Sequence, residues 1–393
     1  MNKLEPLEPG RVAVGGAPEG YDARLVAELA ERAGGPVIHV ARDDARAAAM
    51  TEALAIWAPK LPVFGFPAWD CLPYDRVSPN PELVAERMAT LARLAHAAPE
   101  SPAVLVTTLN AVLQKVPARQ ILAEASFVGH VGHRVEVEAL TGWLARMGFN
   151  RASTVMEHGD YAVRGGIIDI FPPGHATPVR LDFFGDVLES ARRFDPGTQR
   201  TLEKIKRVEL APASEVILDP PAIQRFRIRY RELFGAARLD DPLYAAVSEG
   251  RKHQGMEHWV PLLHEAMESL FDYLPGAPVS LDDQMEAARA ARLDTVADHH
   301  GARIEAGKLA GPSTTPVRPC PPELLYLDEP AWASALHGRA VRAFSPHRTA
   351  SGPGVIDAGG RQGIHTFIGT SPLHRQYQLN KDRDQVLEQI RET

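Results

Sequence analysis

The sequence predicts an α/β protein: a parallel-sheet domain over residues 1–127, a small α+β domain inserted over 128–213, and a mainly helical region over 214–355. Three observations predict it. Short apolar runs alternate with helical periods up to residue 116, turn-separated alternating strands dominate 128–212, and helical periods return after 215. Residues 356–393 form an atypical tail to which these patterns assign no fold.

The elements follow in chain order. "RVAVGG" reads as a strand and "YDARLVAELAERAG" as a helix closed by glycine. "PVIHVA", "LPVFGF" and "AVLVTT" are strands; "DDARAAAMTEALAIWA", "PELVAERMATLARLAHA" and the short "LNAVLQKV" are helices. Apolar runs of this length between helices belong to a parallel sheet covered on both faces. Next, "HRVEVEA", "YAVRGGIIDIFP", "PVRLDFFG", "VLESARRFD" and "EKIKRVELAPA" read as strands, interrupted by the helix "LTGWLARMGF". The turns "FPPGHATP" and "DPGTQR" separate them. Beyond 215, "PAIQRFRIRYRELFG" carries an apolar stripe at Phe226, Tyr230 and Phe234, "LDDQMEAARAARLDTVADHHGARIEAGKL" is a polar helix, and "GPSTTPVRPCPPE" is a loop.

Composition narrows the function. A chain of 393 residues, 45% apolar and 24% charged, fits about two to three soluble domains. Its net charge of -7 does not suit a protein that coats nucleic acid as a whole; any such contact is local. Cys71 and Cys320 fit neither a disulfide framework nor a zinc spacing, which suits a reducing cytoplasm. No signal-like apolar segment opens the chain, and no run of about 18 apolar residues occurs, so a secreted or membrane-spanning protein is not expected.

The first strand–turn–helix invites a nucleotide site. Gly15 and Gly20 have the spacing of the two glycines in G-x-x-x-x-G-K-[ST], but Tyr21 replaces the Lys and Asp22 the Ser/Thr. Tyr21 brings no ammonium, Asp22 repels phosphate, and Pro18 removes one N–H donor. The site is expected to be degenerate and inactive. Asp282 and Asp283 in "APVSLDDQ" could follow a Walker B strand, but Ser280 breaks the short run, and they read as acids at a helix start.

A second candidate is a surface. In "VRLDFF", alternation puts Val179, Leu181 and Phe183 on one face and Arg180, Asp182 and Phe184 on the other. The first set belongs to the core. An aromatic beside an arginine on a charged face has the composition of an interface hot spot. Two bland readings compete: a bulge at Gly185 turns the Phe184 ring inward, or Arg164 and Arg180 merely pair with Asp182 or Asp186 on a solvated face. Gly165 and Gly166 either admit a partner's backbone or mark a bulge.

Weaker candidates have bland readings that the residues favour. Glu157, His158 and Asp160 read as a capped loop rather than an acid–base or metal cluster. Trp69 and Tyr74 read as loop packing rather than base stacking, and Arg225, Arg227, Arg229 and Arg231 as a solvated face rather than phosphate contacts. His299 and His300 read as solvent-facing.

The stretches "FPAWDCLPYDRVSPNPELVAERMATL", "VMEHGDYAVRGGIIDIFPPG", "VRLDFFGDVLESARRFDPGTQRTLEKI" and "GMEHWVPLLHE" resemble, in order, the N-terminal part of the bacterial transcription-repair coupling factors. The resemblance runs over about residues 1–363 and implies a module like the excision-repair protein UvrB. That module has a RecA-like domain 1a with a degenerate P-loop (1–127), a UvrA-binding domain 2 (128–213) and a domain 1b (214–355). It implies UvrA as partner, with Arg164, Arg180 and Phe184 at the contact positions, and no catalytic residues, cofactor or metal. Truncating Arg180 or Phe184 is expected to weaken UvrA binding and leave the fold intact. The family's polymerase-binding, translocase and masking domains have no counterpart here, so contacts with RNA polymerase and DNA belong to regions absent from the chain. The alternative is a nucleotide-dependent DNA-remodelling enzyme with a residual ATP site at Gly15–Asp22. From about Gly363 the tail resembles a segment of 2-isopropylmalate synthase without that family's metal motifs; no catalytic role is expected of residues 364–393, and a chimeric or truncated gene explains them.

Overall fold

The computed structural model describes residues 7–238, 241–309, 318–348, 350 and 352–360. The first part follows the predicted alternation: β1 (Gly10–Gly15), α1 (Tyr21–Ala33), β2 (Pro36–Ala41), α2 (Asp44–Trp57), β3 (Val63–Phe66), α3 (Pro81–His96) and β4 (Ala103–Thr108). Local chemistry sets the helix ends. Asp43 caps α2 by accepting from Arg46 N at 2.9 Å, and Asn80 caps α3 with Pro81 following. Gly34 ends α1 in the left-handed conformation.

A two-residue strand β5 (Val116–Pro117) leads into the insert. There lie β6 (Phe127–His130), β7 (Asn150–Arg151), β8 (Asp160–Arg164), β9 (Ile167–Ile170), β10 (Val179–Phe184), β11 (Val187–Phe194), β12 (Thr201–Ile205) and β13 (Arg207–Leu210). Six of these strands form one mixed sheet, ordered β12-β11-β10-β9-β8-β7, while β13 pairs with β6. Two expectations change here. The "HRVEVEA" strand is not formed, because a helix begins at Val137 and runs to Arg146. The single strand expected over "YAVRGGIIDIFP" is a hairpin, β8 and β9.

After the insert comes the helix Pro220–Phe234, then β14 (Met267–Glu268), β15 (Val279–Leu281), the helix Met285–Leu309, β16 (Ala340–Phe344) and β17 (Val355–Asp357). The stretch that reads as mainly helical, together with the first residues of the tail, thus returns three strands to the first sheet. That sheet has seven strands, all pairs parallel, in the order β17-β1-β16-β15-β2-β4-β3. Ser280 does not break β15; it is buried and its Oγ lies 3.0 Å from His39 Nδ1 in β2. The strand was illegible because its pairing partners are remote in sequence.

One face of the seven-stranded sheet packs Val37, Val104 and Val106 against Leu25, Val26 and Leu29 of α1. The other face, with Ile38, Leu105, Val279 and Val341, joins a core that continues into Ile168, Val179 and Leu181 of the insert. The insert is therefore seated on the sheet through apolar side chains. The tail expected without a fold from residue 356 begins instead inside β17, while residues 361–393, with the expectation for 364–393, fall outside the described residues.

Candidate functional site: hairpin tips and an occupied loop

The mixed sheet ends in two adjacent two-residue turns, Gly165–Gly166 between β8 and β9 and Gly185–Asp186 between β10 and β11. Such turns need positive φ, and Gly165 (60°) and Gly185 (58°) supply it. Gly166 serves close approach within the chain: a Cβ there would lie 2.7 Å from Phe183 O, and Phe183 N donates to Gly166 O at 2.7 Å. Neither a bulge nor room for a partner's backbone is needed to explain the two glycines.

Phe184 sits at the second tip, 80% exposed. The register does shift, but between Asp182 and Phe183, where Glu189 is the extra residue on β11. That bulge leaves Phe183 packed on the core and Phe184 outside, so the inward reading fails. Val187, paired opposite Phe184, is also exposed, and Arg134 Nη2 braces the turn by donating to Asp186 Oδ2 at 3.2 Å.

Register fixes how the arginines sit. Arg164, Ile167 and Asp182 form one cross-strand row, and Ala162, Asp169 and Arg180 the next, on the same face; that face is solvated only toward the tips, since Ala162 and Asp169 are buried. Arg164 is exposed, and its Nη2 donates to Ser153 O at 2.6 Å and Thr154 Oγ1 at 3.1 Å. Arg180 pairs with neither expected acid. Its Nε and Nη2 donate to the two oxygens of the buried Asp169 at 2.6 and 2.8 Å. Asp182 is taken by Ser190 and Arg192. Truncating Arg180 would therefore leave Asp169 buried and unpaired, at a cost of about 3 kcal/mol. The expectation that this change leaves the fold intact is corrected accordingly.

The phosphate-loop lookalike is filled by the chain itself. Gly16 N and Ala17 N donate to His347 O and Ser345 O, Tyr21 N and Asp22 N to Pro18 O, and Gly20 N to Asp22 Oδ1. These are the donors that would cradle phosphate in a working loop. Residues Asp357–Gly360 lie across the glycines, with Ala358 N and Gly360 N donating to Gly15 O and Gly16 O, both at 2.8 Å. Beneath them, Arg46 Nη2 donates to Asp22 Oδ2 at 2.6 Å and Arg46 Nε to Asp282 Oδ2 at 3.1 Å. Burial pushes the Asp22 carboxyl up to about 6 despite Arg46. Burial also pushes Asp282 upward, but Arg46 outweighs it and holds that carboxyl below its usual range. Asp282 follows β15 at the carboxyl edge of the sheet, so the strand-then-acid arrangement that the sequence discounted is present, with a guanidinium as its cation.

Comparison with known proteins decides what the insert is. Residues 129–216 match the UvrB interaction domain.

The wider chain is homologous to an N-terminal region of bacterial transcription-repair-coupling factors. It is 35% identical to that of Escherichia coli over 309 residues, covering 78% of this chain and 26% of the relative. With the Haemophilus influenzae protein it shares 33% over 326 residues, 82% of this chain and 27% of the relative. With the Myxococcus xanthus protein it shares 34% over 309 residues, 73% and 25% respectively. The chain spans about a quarter of the length of these curated relatives. The 2-isopropylmalate synthase resemblance of the tail finds no support among them.

The UvrB interaction domain also holds the remaining acidic candidate. Asp160 Oδ2 accepts from Met156 N and Glu157 N, a capped turn, and His158 Nε2 lies 3.0 Å from His175 O. Among the described residues, no group of three His, Cys, Asp or Glu could hold a metal ion, and no helix is long and apolar enough to cross a membrane. Glu215, at the end of the interaction domain, accepts from Arg87 Nε at 2.5 Å and Trp69 Nε1 at 3.3 Å, tying the loop of Trp69 and Tyr74 into the core. The helix arginines form a solvated face only in part: Arg227 and Arg231 are exposed, whereas Arg225 and Arg229 are half-buried. Arg225, Arg227 and Arg229 donate to the carbonyls of Leu263, Ser248 and Pro261, and Arg231 lies over the Tyr244 ring. His299 and His300 pack on the same loop, at Pro73 O and the Tyr74 ring.

Sequence reasoning missed Arg46, Asp169 and Gln199. Only Arg46 left a local trace: a cation in the first turn of a helix opposes the helix dipole and asks for a carboxylate elsewhere. Asp169 and Gln199 reach Arg180 across the sheet and from a following turn, which alternation along one strand does not register.

Proposed function

We propose that this chain recruits UvrA through the outer face and hairpin tips of its UvrB interaction domain, presenting Arg164, Arg180 and Phe184. The observation that carries the reading is the Phe184 ring, 80% exposed at the edge of a two-residue turn, next to the cross-strand row that holds Arg164. A large aromatic held in water by a rigid turn suits an anchor that is buried only on binding. The match to the UvrB interaction domain supports the same surface. On this reading the chain competes with UvrB for one UvrA surface. It works without an ATP cycle of its own, because its phosphate-binding donors are engaged by its own oxygens. Domains 1a, 2 and 1b divide it at about residues 127 and 213, with DNA translocation and polymerase contact left to other parts of the related factors.

The test is a titration of UvrA with the wild type, Phe184→Ala and Arg164→Ala, with melting temperatures recorded in parallel. Phe184→Ala is expected to weaken binding at least roughly tenfold at unchanged melting temperature. Wild-type affinity in both variants overturns the assignment of this face.

A further inference from the structure

Arg180 is held on three sides. Asp169 takes the Nε/Nη2 edge, Gln199 Oε1 accepts the second Nη2 proton at 3.0 Å, and the guanidinium lies 4.5 Å from the ring centre of the buried Phe194. Among the described residues Nη1 donates to nothing, and the side chain keeps 17% of its surface exposed. The result is a partly exposed arginine with one edge fixed and Nη1 left unspent.

Gln199 is built for this contact. Its backbone is left-handed at φ 59°, a conformation that is uncommon outside glycine, asparagine and aspartate. The turn that imposes it is closed by Gln199 N on Asp195 O at 2.7 Å and by Thr198 N and Oγ1 on Asp195 Oδ1 at 2.7 and 2.8 Å. Gln199 Nε2 donates to Pro196 O at 2.8 Å, which fixes the carboxamide with its oxygen toward Arg180. The reverse orientation would set two donors face to face. Glycine would adopt this backbone freely, but it could not reach Arg180.

We infer that Asp169 and Gln199 are positioning residues for partner recognition: they hold Arg180 so that Nη1 is presented to an acceptor, best a carboxylate, on the protein that docks on this face. The inference rests on the reading of this surface as the UvrA contact. Ordering the guanidinium before the encounter removes the rotamer entropy that binding would otherwise have to overcome, and it directs a charge-assisted hydrogen bond.

The experiment is a UvrA titration with Gln199→Gly in two backgrounds, wild type and Arg180→Lys, beside Phe184→Ala and with melting temperatures. Gln199→Gly relieves the backbone, so its melting temperature is expected at or above that of the wild type. Its affinity is expected to fall roughly three- to tenfold in the wild-type background, and to change by less than about twofold when Arg180 is already Lys. Asp169→Asn, which keeps one acceptor oxygen, should fall between. An equal loss in both backgrounds, or binding unchanged by Gln199→Gly while Phe184→Ala binds weakly, overturns the positioning role and leaves the surface reading standing. Wild-type binding by Phe184→Ala overturns the surface reading, and the positioning role with it.

Discussion

The guanidinium of Arg46 lies 2.6 Å from the carboxylate of Asp22, the residue at the place the phosphate-loop motif reserves for a Ser/Thr hydroxyl. Both side chains are buried, and Asp282 completes the group from the other side. One cation serves two buried acids, with the more exposed Glu19 at 3.6 Å as a third, so its removal leaves Asp22 and Asp282 buried without their cation. Arg46→Ala is expected to lower unfolding free energy by about 3–5 kcal/mol, read from urea denaturation followed by tryptophan fluorescence. An unchanged midpoint would show that the triad does not hold the sheet edge together.

The same geometry predicts the response to nucleotide. Gly16, Ala17, Gly20, Tyr21 and Asp22 already spend their N–H groups on the chain. Calorimetric titration of the wild type with Mg-ATP is expected to give no binding isotherm, and micromolar affinity would reopen the nucleotide-dependent reading.

Acid stability carries a sign that can be worked out. Burial pulls His39 and His258 down to about 4. The unfolded chain takes up these protons near 6.5 and the folded chain only near 4, so stability is present above about 6.5 and is lost as pH falls toward 4. Asp22 acts in the opposite sense. Raised to about 6, it keeps a proton that the unfolded chain has released, so its contribution is lost as pH rises from about 4 to 6. Two histidines against one carboxyl leave a net loss on acidification. Among the described residues neither ring nitrogen of His258 is hydrogen-bonded, and the ring packs against Trp69 and Tyr74. His258→Phe should shrink the drop in urea midpoint between pH 7 and pH 4.5; a drop as large as in the wild type counts against this assignment.

The two hairpin tips should respond differently to substitution. Phe184→Ser changes a side chain that is 80% exposed and is expected to move stability by less than about 0.5 kcal/mol. Gly185→Asn should also be tolerated, because open space surrounds that Cβ and asparagine accepts left-handed backbone. Gly166→Ala instead drives a methyl onto the Phe183 carbonyl and should cost about 1–3 kcal/mol. Thermal denaturation of the three variants gives the order, and equal melting temperatures would contradict the turn geometry.

Much of this molecule was readable from residue order. The apolar runs at Val37–Val40 and Ala103–Val106 announced buried parallel strands, and the alternation through Val179–Phe184 placed the ring of Phe184 outside, where it is found. Both inferences draw on neighbours a few positions apart, whose side-chain directions follow from the strand repeat. Other features were out of reach. That β15, β16 and β17 complete the first sheet, that Asp169 and Gln199 grip Arg180, and that Arg46 fills the space between Asp22 and Asp282 are pairings chosen in three dimensions. A strand's own residues state which face is apolar. Which remote strand or acid satisfies its hydrogen bonds and charges depends on how the chain closes upon itself, and only packing selects among the available partners.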